Sequence, residues 1–238
     1  GFSGDSLYMG SGVTLIDIDE SKTFPVLGAV GARVADHSVQ GKITLGGNLA
    51  GTIIYRETAL PLLLCDAAAS VASPGRPGEL LEVPLKDVFT GGRLTLEQGG
   101  FLVGVTVKRQ DTEAPWFHVK RTKMEEVGYP LLTLVALMFH NRIRLAASGL
   151  YPYPVMLEPL EGLGSPEGPE GDEQPSVKKA KYSEKESANR GKSFPEKISA
   201  ALERLPPGIL DDMDGSADYR RFIMSRVLED CLAQMEAS

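Results

Sequence analysis

The chain has 238 residues, 42% of them hydrophobic, with a formal net charge of -7. That length and apolar content bury a sizeable core, as one large domain or as two subdomains. The acidic balance excludes a general nucleic-acid binder, which needs a surplus of Lys and Arg over one face.

In chain order, the first predicted element is a strand and loop at Leu7-Tyr8-Met9-Gly10-Ser11-Gly12-Val13. The chain opens without Met and meets this strand almost at once, so a domain that continues further N-terminally is expected. Residues 24–34 place Val26, Val30 and Val34 at helical spacing with Pro25 in the first turn, which predicts a short amphipathic helix. A second helix is expected over residues 57–69, with Leu60, Leu63, Leu64 and Ala67 on its core face. Residues 71–78 form a turn-rich connector, and residues 101–107 alternate as a covered strand. The loop Gln110-Asp111-Thr112-Glu113-Ala114-Pro115 marks a boundary, giving subdomains 1–112 and 113–238. Residues 127–139 and 142–147 predict an antiparallel hairpin with His140-Asn141 near its turn.

Residues 162–192 shift to Gly, Pro, Glu, Ser and Lys with few large apolar residues, and a mobile insertion is expected there. Beyond it, Ile198, Ala201, Leu202 and Leu205 form a helical stripe. Ser216 is the expected N-cap of a last helix that carries Tyr219, Phe222, Ile223, Val227, Cys231, Leu232 and Met235.

Two cysteines, Cys65 and Cys231, lie in apolar stretches and are expected to behave as small hydrophobes rather than as a disulfide framework. Two thiols cannot hold an iron–sulfur cluster, and His37, His118 and His140 do not join them at ligand spacing, so no metal site is expected. No stretch approaches the roughly 20 apolar residues of a membrane span, and residues 1–5 lack the parts of a signal peptide. A cytoplasmic chain with neither a membrane nor a nucleic-acid partner is expected.

The chemistry points to Thr44-Leu45-Gly46-Gly47-Asn48. Adjacent glycines allow positive φ and close backbone approach, and successive exposed N–H groups would cradle an anion. Thr44 adds a hydroxyl and Asn48 both a donor and an acceptor. On physical grounds alone, a plain tight turn is the more common explanation of such a pair. The segment is neither a P-loop nor a G-x-G-x-x-G fingerprint.

Thr44-Leu45-Gly46-Gly47-Asn48 resembles the T-[LI]-G-G-N signature of the FAD-binding subunits of molybdenum hydroxylases, the xanthine and carbon monoxide dehydrogenase family. Further segments agree in order: the strand and loop from Leu7 to Asp17, Phe24-Pro25-Val26-Leu27, Pro61 to Ala67, Asp87-Val88-Phe89-Thr90-Gly91, Arg142 to Pro154, and Asp212 with Gly215-Ser216-Ala217-Asp218-Tyr219-Arg220-Arg221. The resemblance implies an α+β fold, with an FAD-binding subdomain followed by a three-stranded antiparallel sheet packed on helices. It implies FAD in this chain, molybdopterin in a large partner subunit, [2Fe-2S] clusters in a small one, and NAD or another electron acceptor.

Thr44, Leu45, Gly46, Gly47 and Asn48 are the implied pyrophosphate and flavin contacts, and no catalytic residue is assigned. Glu57 stands near an acidic flavin contact of the family, although a helix macrodipole explains it equally well. Lys120, in Val119-Lys120-Arg121-Thr122, resembles a strand lysine facing the flavin, where a cation would stabilise a reduced, anionic ring; an exposed strand lysine is the plain alternative. Tyr8 and Tyr55 are possible flavin neighbours for which core packing is the better explanation. The chain lacks the family's other flavin loop, A-G-G-T-[DS]-L, and the Arg and Asn that precede T-[LI]-G-G-N, so a partial FAD site is expected. A scaffold subunit that no longer binds FAD is the alternative.

Overall fold

The structure is a computed structural model and describes residues 1–91, 93–123, 128–140, 142–161 and 193–237. The mobile insertion expected at 162–192 lies outside the described residues.

The first half builds a five-stranded antiparallel sheet and a set of short helices. Strands β1 (Phe2–Ser3) and β2 (Ser6–Gly10) lead into helices α1 (Leu15–Ser21), α2 (Pro25–Gly31), α3 (His37–Gln40), α4 (Leu45–Ala50) and α5 (Ala59–Leu64). Strands β3 (Ala68–Ala72) and β4 (Leu80–Pro84), helix α6 (Leu85–Val88), the small hairpin β5 (Phe89–Thr90) and β6 (Arg93–Leu94), and strand β7 (Phe101–Lys108) complete it. The sheet order is β1-β2-β7-β3-β4.

Local sequence explains most of these elements. Thr14 and Asp17 close a capping box on α1, with Asp17 N–H donating to Thr14 Oγ1 at 3.2 Å. Pro25 stands in the first turn of α2. The expected helix over 57–69 is confined to Ala59–Leu64, because Asp66 takes a left-handed φ of 47° and the chain enters β3 two residues later. Every residue of α5 is buried, which a helix packed against the second sheet and under α2 and α6 requires.

Helix α7 (Arg109–Thr112) carries the chain to a second sheet of β8 (Trp116–Thr122), β9 (Pro130–Phe139), β10 (Arg142–Ser148) and β11 (Val155–Glu161), in the order β11-β10-β9-β8. The sheet has four strands rather than the expected three: the β9–β10 hairpin, with His140 at φ 47°, takes β11 on one edge and β8 on the other. Helices α8 (Phe194–Glu203) and α9 (Ala217–Glu236) pack on its outer face.

Strand β9 is the shared wall of two cores. Val135 and Leu137 join the core of the first half, with Leu7, Leu27, Leu45, Leu60 and Val105. Leu132, Leu134 and Ala136 face the other way, against Met224, Val227, Leu228, Cys231, Leu232 and Met235 of α9. This is the period-2 alternation of a strand buried on both sides. Tyr219 and Phe222 of α9 are exposed. The inner face instead begins with Arg220, one turn before Met224 and fully buried. Cys65 and Cys231 are free and buried, and burial pushes both thiols up.

Candidate functional site

Two cavities meet at the glycine pair. The larger, about 750 Å³, is lined by residues of the α2–α4 region (among them Val34, Ile43, Gly47 and Asn48), by Tyr55, Glu57 and Lys120, and by Gly128, Tyr129 and Pro130. The smaller, about 570 Å³, is lined by Ser11, Gly12, Thr44, Gly46, Gly47, Glu97, Gly100 and Phe101, among others. Gly47 borders both. Each volume lies in the range typical of small-molecule sites.

The segment that joins them is the start of a helix, not a tight turn. Thr44 is the N-cap of α4, its Oγ1 accepting from Gly47 N–H at 3.0 Å. Neither Gly46 nor Gly47 has a positive φ. What Gly46 supplies is close approach: a Cβ there would stand 2.5 Å from Ser11 Cβ and 3.0 Å from Ser11 O. The expected row of exposed N–H groups is not present. Leu45 N–H donates to Val13 O, Gly46 N–H to Ser11 O and Asn48 N–H to Thr44 O, so with Gly47 all four are spent within the chain. Leu45 itself is in the core and lines neither cavity.

Asn48 is buried, and its Oδ1 accepts from Thr58 Oγ1 at 2.6 Å. Its amide nitrogen donates to no described group, which leaves a donor at the cavity wall.

At the far side of the larger cavity, Glu57 and Lys120 form a buried ion pair. Lys120 Nζ lies 3.0 Å from Glu57 Oε2 and donates to Arg33 O at 2.7 Å; the two side chains are 1% and 3% exposed. Thr133 Oγ1 donates to the other Glu57 oxygen. The solvated-lysine alternative is thus overturned, and Glu57 is bound to a strand rather than standing exposed at a helix start. Burial raises Glu57 above the usual carboxylate range, opposed by Lys120, by the Thr133 hydrogen bond and by Arg33. Tyr55 and Tyr129 stack with ring centroids 5.0 Å apart and line the same cavity, so Tyr55 is a wall residue rather than core. Tyr8 lies across the first sheet, its hydroxyl facing Val103 O and its ring over Gly104. The contribution of Tyr129 was not legible in the sequence, where the segment reads as the start of a strand.

His118, two residues before Lys120 on β8, is held neutral: burial, then Arg33 and Lys120, lower it from 6.5 to about 4. The unfolded chain binds this proton more readily than the folded one. The imidazole therefore contributes stability above pH 6.5, and that stability is lost as pH falls toward 4, by about 3 kcal/mol. Urea unfolding at successive pH values should show wild type losing more stability than His118→Gln across that window.

Among the described residues, no group of three or more His, Cys, Asp or Glu is placed to hold a metal ion, and no helix is long and apolar enough to cross a membrane.

Residues 2–108 match the family described as the FAD binding domain in molybdopterin dehydrogenase. No curated protein matches the sequence. Among solved structures, the chain is similar to quinoline 2-oxidoreductase from Pseudomonas putida 86, at 20% identity and a TM-score of 0.70, covering 100% of this chain and 77% of that one. Similarity to reconstituted CO dehydrogenase from Oligotropha carboxidovorans gives 16% identity and a TM-score of 0.71, over 99% and 77% of the two chains. Carbon monoxide dehydrogenase from Hydrogenophaga pseudoflava gives 19% and 0.70, over 98% and 76%. At these identities the structures establish a shared fold, and the family match covers the segment that bears both the glycine pair and Glu57. Residues 2–108, which hold the glycine pair and Glu57, are therefore similar to the FAD-binding domain of the molybdopterin dehydrogenases, and the chain as a whole shares the fold of these subunits.

Proposed function

We propose that the chain is the FAD-carrying electron-transfer subunit of a heteromeric molybdenum hydroxylase of the xanthine or carbon monoxide dehydrogenase kind. Its partners are a large molybdopterin subunit, where substrate is hydroxylated, and a small [2Fe-2S] subunit that delivers electrons. NAD or another acceptor removes them. The observation that carries the proposal is the pair of cavities, about 750 and 570 Å³, meeting at Gly47 inside the family-matched segment.

The residues fit an elongated ligand with a planar ring at one end. Bound FAD supplies the electron exchange, and the protein supplies binding, orientation and electrostatics. Tyr55, Tyr129 and Pro130 offer an apolar face for a ring. Lys120 and Glu57 offer a donor and an acceptor to its edge, and Asn48 offers an amide donor. Gly47, with no side chain, lines both cavities, and Phe101 lines the smaller one.

One observation favours the scaffold alternative: the N–H groups of Leu45, Gly46, Gly47 and Asn48 are engaged within the chain and hold no anion themselves. Purification of the tagged full chain from its native cells separates the two. The relay reading expects molybdenum and iron to co-purify with a flavin band at about 450 nm that bleaches under reduction. A colourless complex supports the scaffold, and a chain that purifies alone and colourless contradicts both.

A further inference from the structure

We propose that Arg220, buried on the C-terminal helix α9, is a positioning residue for the larger cavity, fixing the wall of Gly128, Tyr129 and Pro130 and with it the Tyr55–Tyr129 stack. The nature of the ligand, a flavin, rests on the function proposed above; the positioning does not.

Arg220 has a side chain that is 0% exposed, on a buried face of α9 whose other residues are apolar. Burying a guanidinium costs desolvation that an apolar residue of similar size avoids, so a stability role alone does not account for it. Its planar fork reaches three separate stretches of chain. Nη1 donates to Leu131 O at 2.9 Å and to Gly149 O at 2.7 Å, at the start of β9 and just past the end of β10. Nη2 donates to Asp212 Oδ1 at 2.7 Å, and Nε to Gly215 O at 3.3 Å. The same Asp212 oxygen accepts from the N–H groups of Asp214 and Gly215. Lys123 Nζ, at the end of β8, donates to Met213 O at 2.7 Å, tying the loop before α9 to the sheet a second time.

The clasp closes directly behind the cavity wall. Leu131 follows Tyr129 and Pro130, which line the cavity. Gly149, at φ +86°, lies so close to Pro130 that a Cβ would stand 2.7 Å from its carbonyl oxygen. Tyr55, the partner of Tyr129, lies in the electrostatic field of Arg220, Asp214 and Asp212. Ordinary strand pairing fixes the register of β9 from Pro130 onward, and Arg220 fixes the backbone at the point where Tyr129 leaves the sheet.

The test uses the full chain with Arg220→Lys, Tyr129→Ala and the double variant, titrated with FAD by fluorescence. Lysine keeps the charge but not the fork. Arg220→Lys should weaken FAD about tenfold with far-ultraviolet dichroism unchanged, and in the Tyr129→Ala background it should add less than about twofold. Wild-type affinity in Arg220→Lys, or a full tenfold in both backgrounds, would overturn the proposal. Should Arg220→Lys fail to fold, Asp212→Ala, which frees one arm of the fork at the surface, takes its place in the same cycle. A second readout needs no ligand: in fluorotyrosine-labelled protein, the Tyr55 and Tyr129 resonances, assigned by Phe substitution, should move in Arg220→Lys and Asp212→Ala. If wild type takes up no FAD, the flavin reading falls, and these resonances alone decide the positioning: movement supports it and unchanged positions refute it.

Discussion

Lys120→Met should cost the protein about 3–5 kcal/mol, the largest loss expected from any single change at the site. The methionine roughly fills the volume but leaves Glu57 as an unpaired carboxylate in a place where its side chain is 3% exposed. It also leaves Arg33 O without the 2.7 Å donor. Because burial already raises Glu57 above the usual carboxylate range, removing the opposing cation raises it further. The variant should therefore bind a proton on Glu57 more readily than wild type does, and its deficit should be smaller at pH 5 than at pH 8. The sign follows from linkage: a carboxyl whose folded pKa is raised stabilises at low pH and loses that contribution as pH rises. Chemical denaturation at the two pH values checks both statements. Replacing both partners together, as Glu57→Leu with Lys120→Met, should recover much of the loss, since a well-packed apolar pair avoids the desolvation of two charges.

The second large effect separates two adjacent glycines. Gly46→Ala should destabilise the fold by about 1–3 kcal/mol, because the added Cβ meets Ser11 backbone atoms that cannot swing away. At Gly47 an added Cβ meets Thr44 Oγ1, at 2.9 Å, so the expected cost of Gly47→Val to folding is the loss of one helix cap, about 1 kcal/mol. Because Gly47 lines both cavities, FAD affinity should fall at least about tenfold. Thermal melts and FAD titrations on the two variants give opposite rankings if this division of labour holds. Equal effects on stability would remove it.

Elements made by local rules were legible in the sequence. The helix α2 behind Pro25, the strand β7, the hairpin around His140 and the last helix after Ser216 all follow from spacing and capping within a few residues. The order of the family-like segments, from Leu7 to Arg221, carried the α+β fold and the glycine pair. Where sequence reasoning fell short, partners distant along the chain decided the outcome. Lys120 becomes a buried cation only because Glu57, 63 residues earlier, and Arg33 O converge on it. Arg220 lies on the buried face of α9, while Tyr219 and Phe222 are exposed, because carbonyls of Leu131 and Gly149 lie opposite it. The helix predicted from 57–69 ended early because Asp66, with an ordinary side chain and nothing local to mark it, turns left-handed to start β3.

The glycine pair changes its meaning most. The sequence suggested a cradle of free N–H groups, whereas the structure gives Gly46 to packing against Ser11 and places Gly47 in the lining of both cavities. Under the proposed function, recognition of FAD would then depend on cavity shape, on the Lys120–Glu57 pair and on the Tyr55–Tyr129 wall.

An equilibrium titration of FAD against the full chain, followed by flavin fluorescence, tests this most directly. Saturable binding near one FAD per chain is expected, which Gly47→Val weakens at least about tenfold while melting close to wild type. Absence of saturable binding in the folded wild-type chain, or binding that Gly47→Val leaves unchanged, would contradict it.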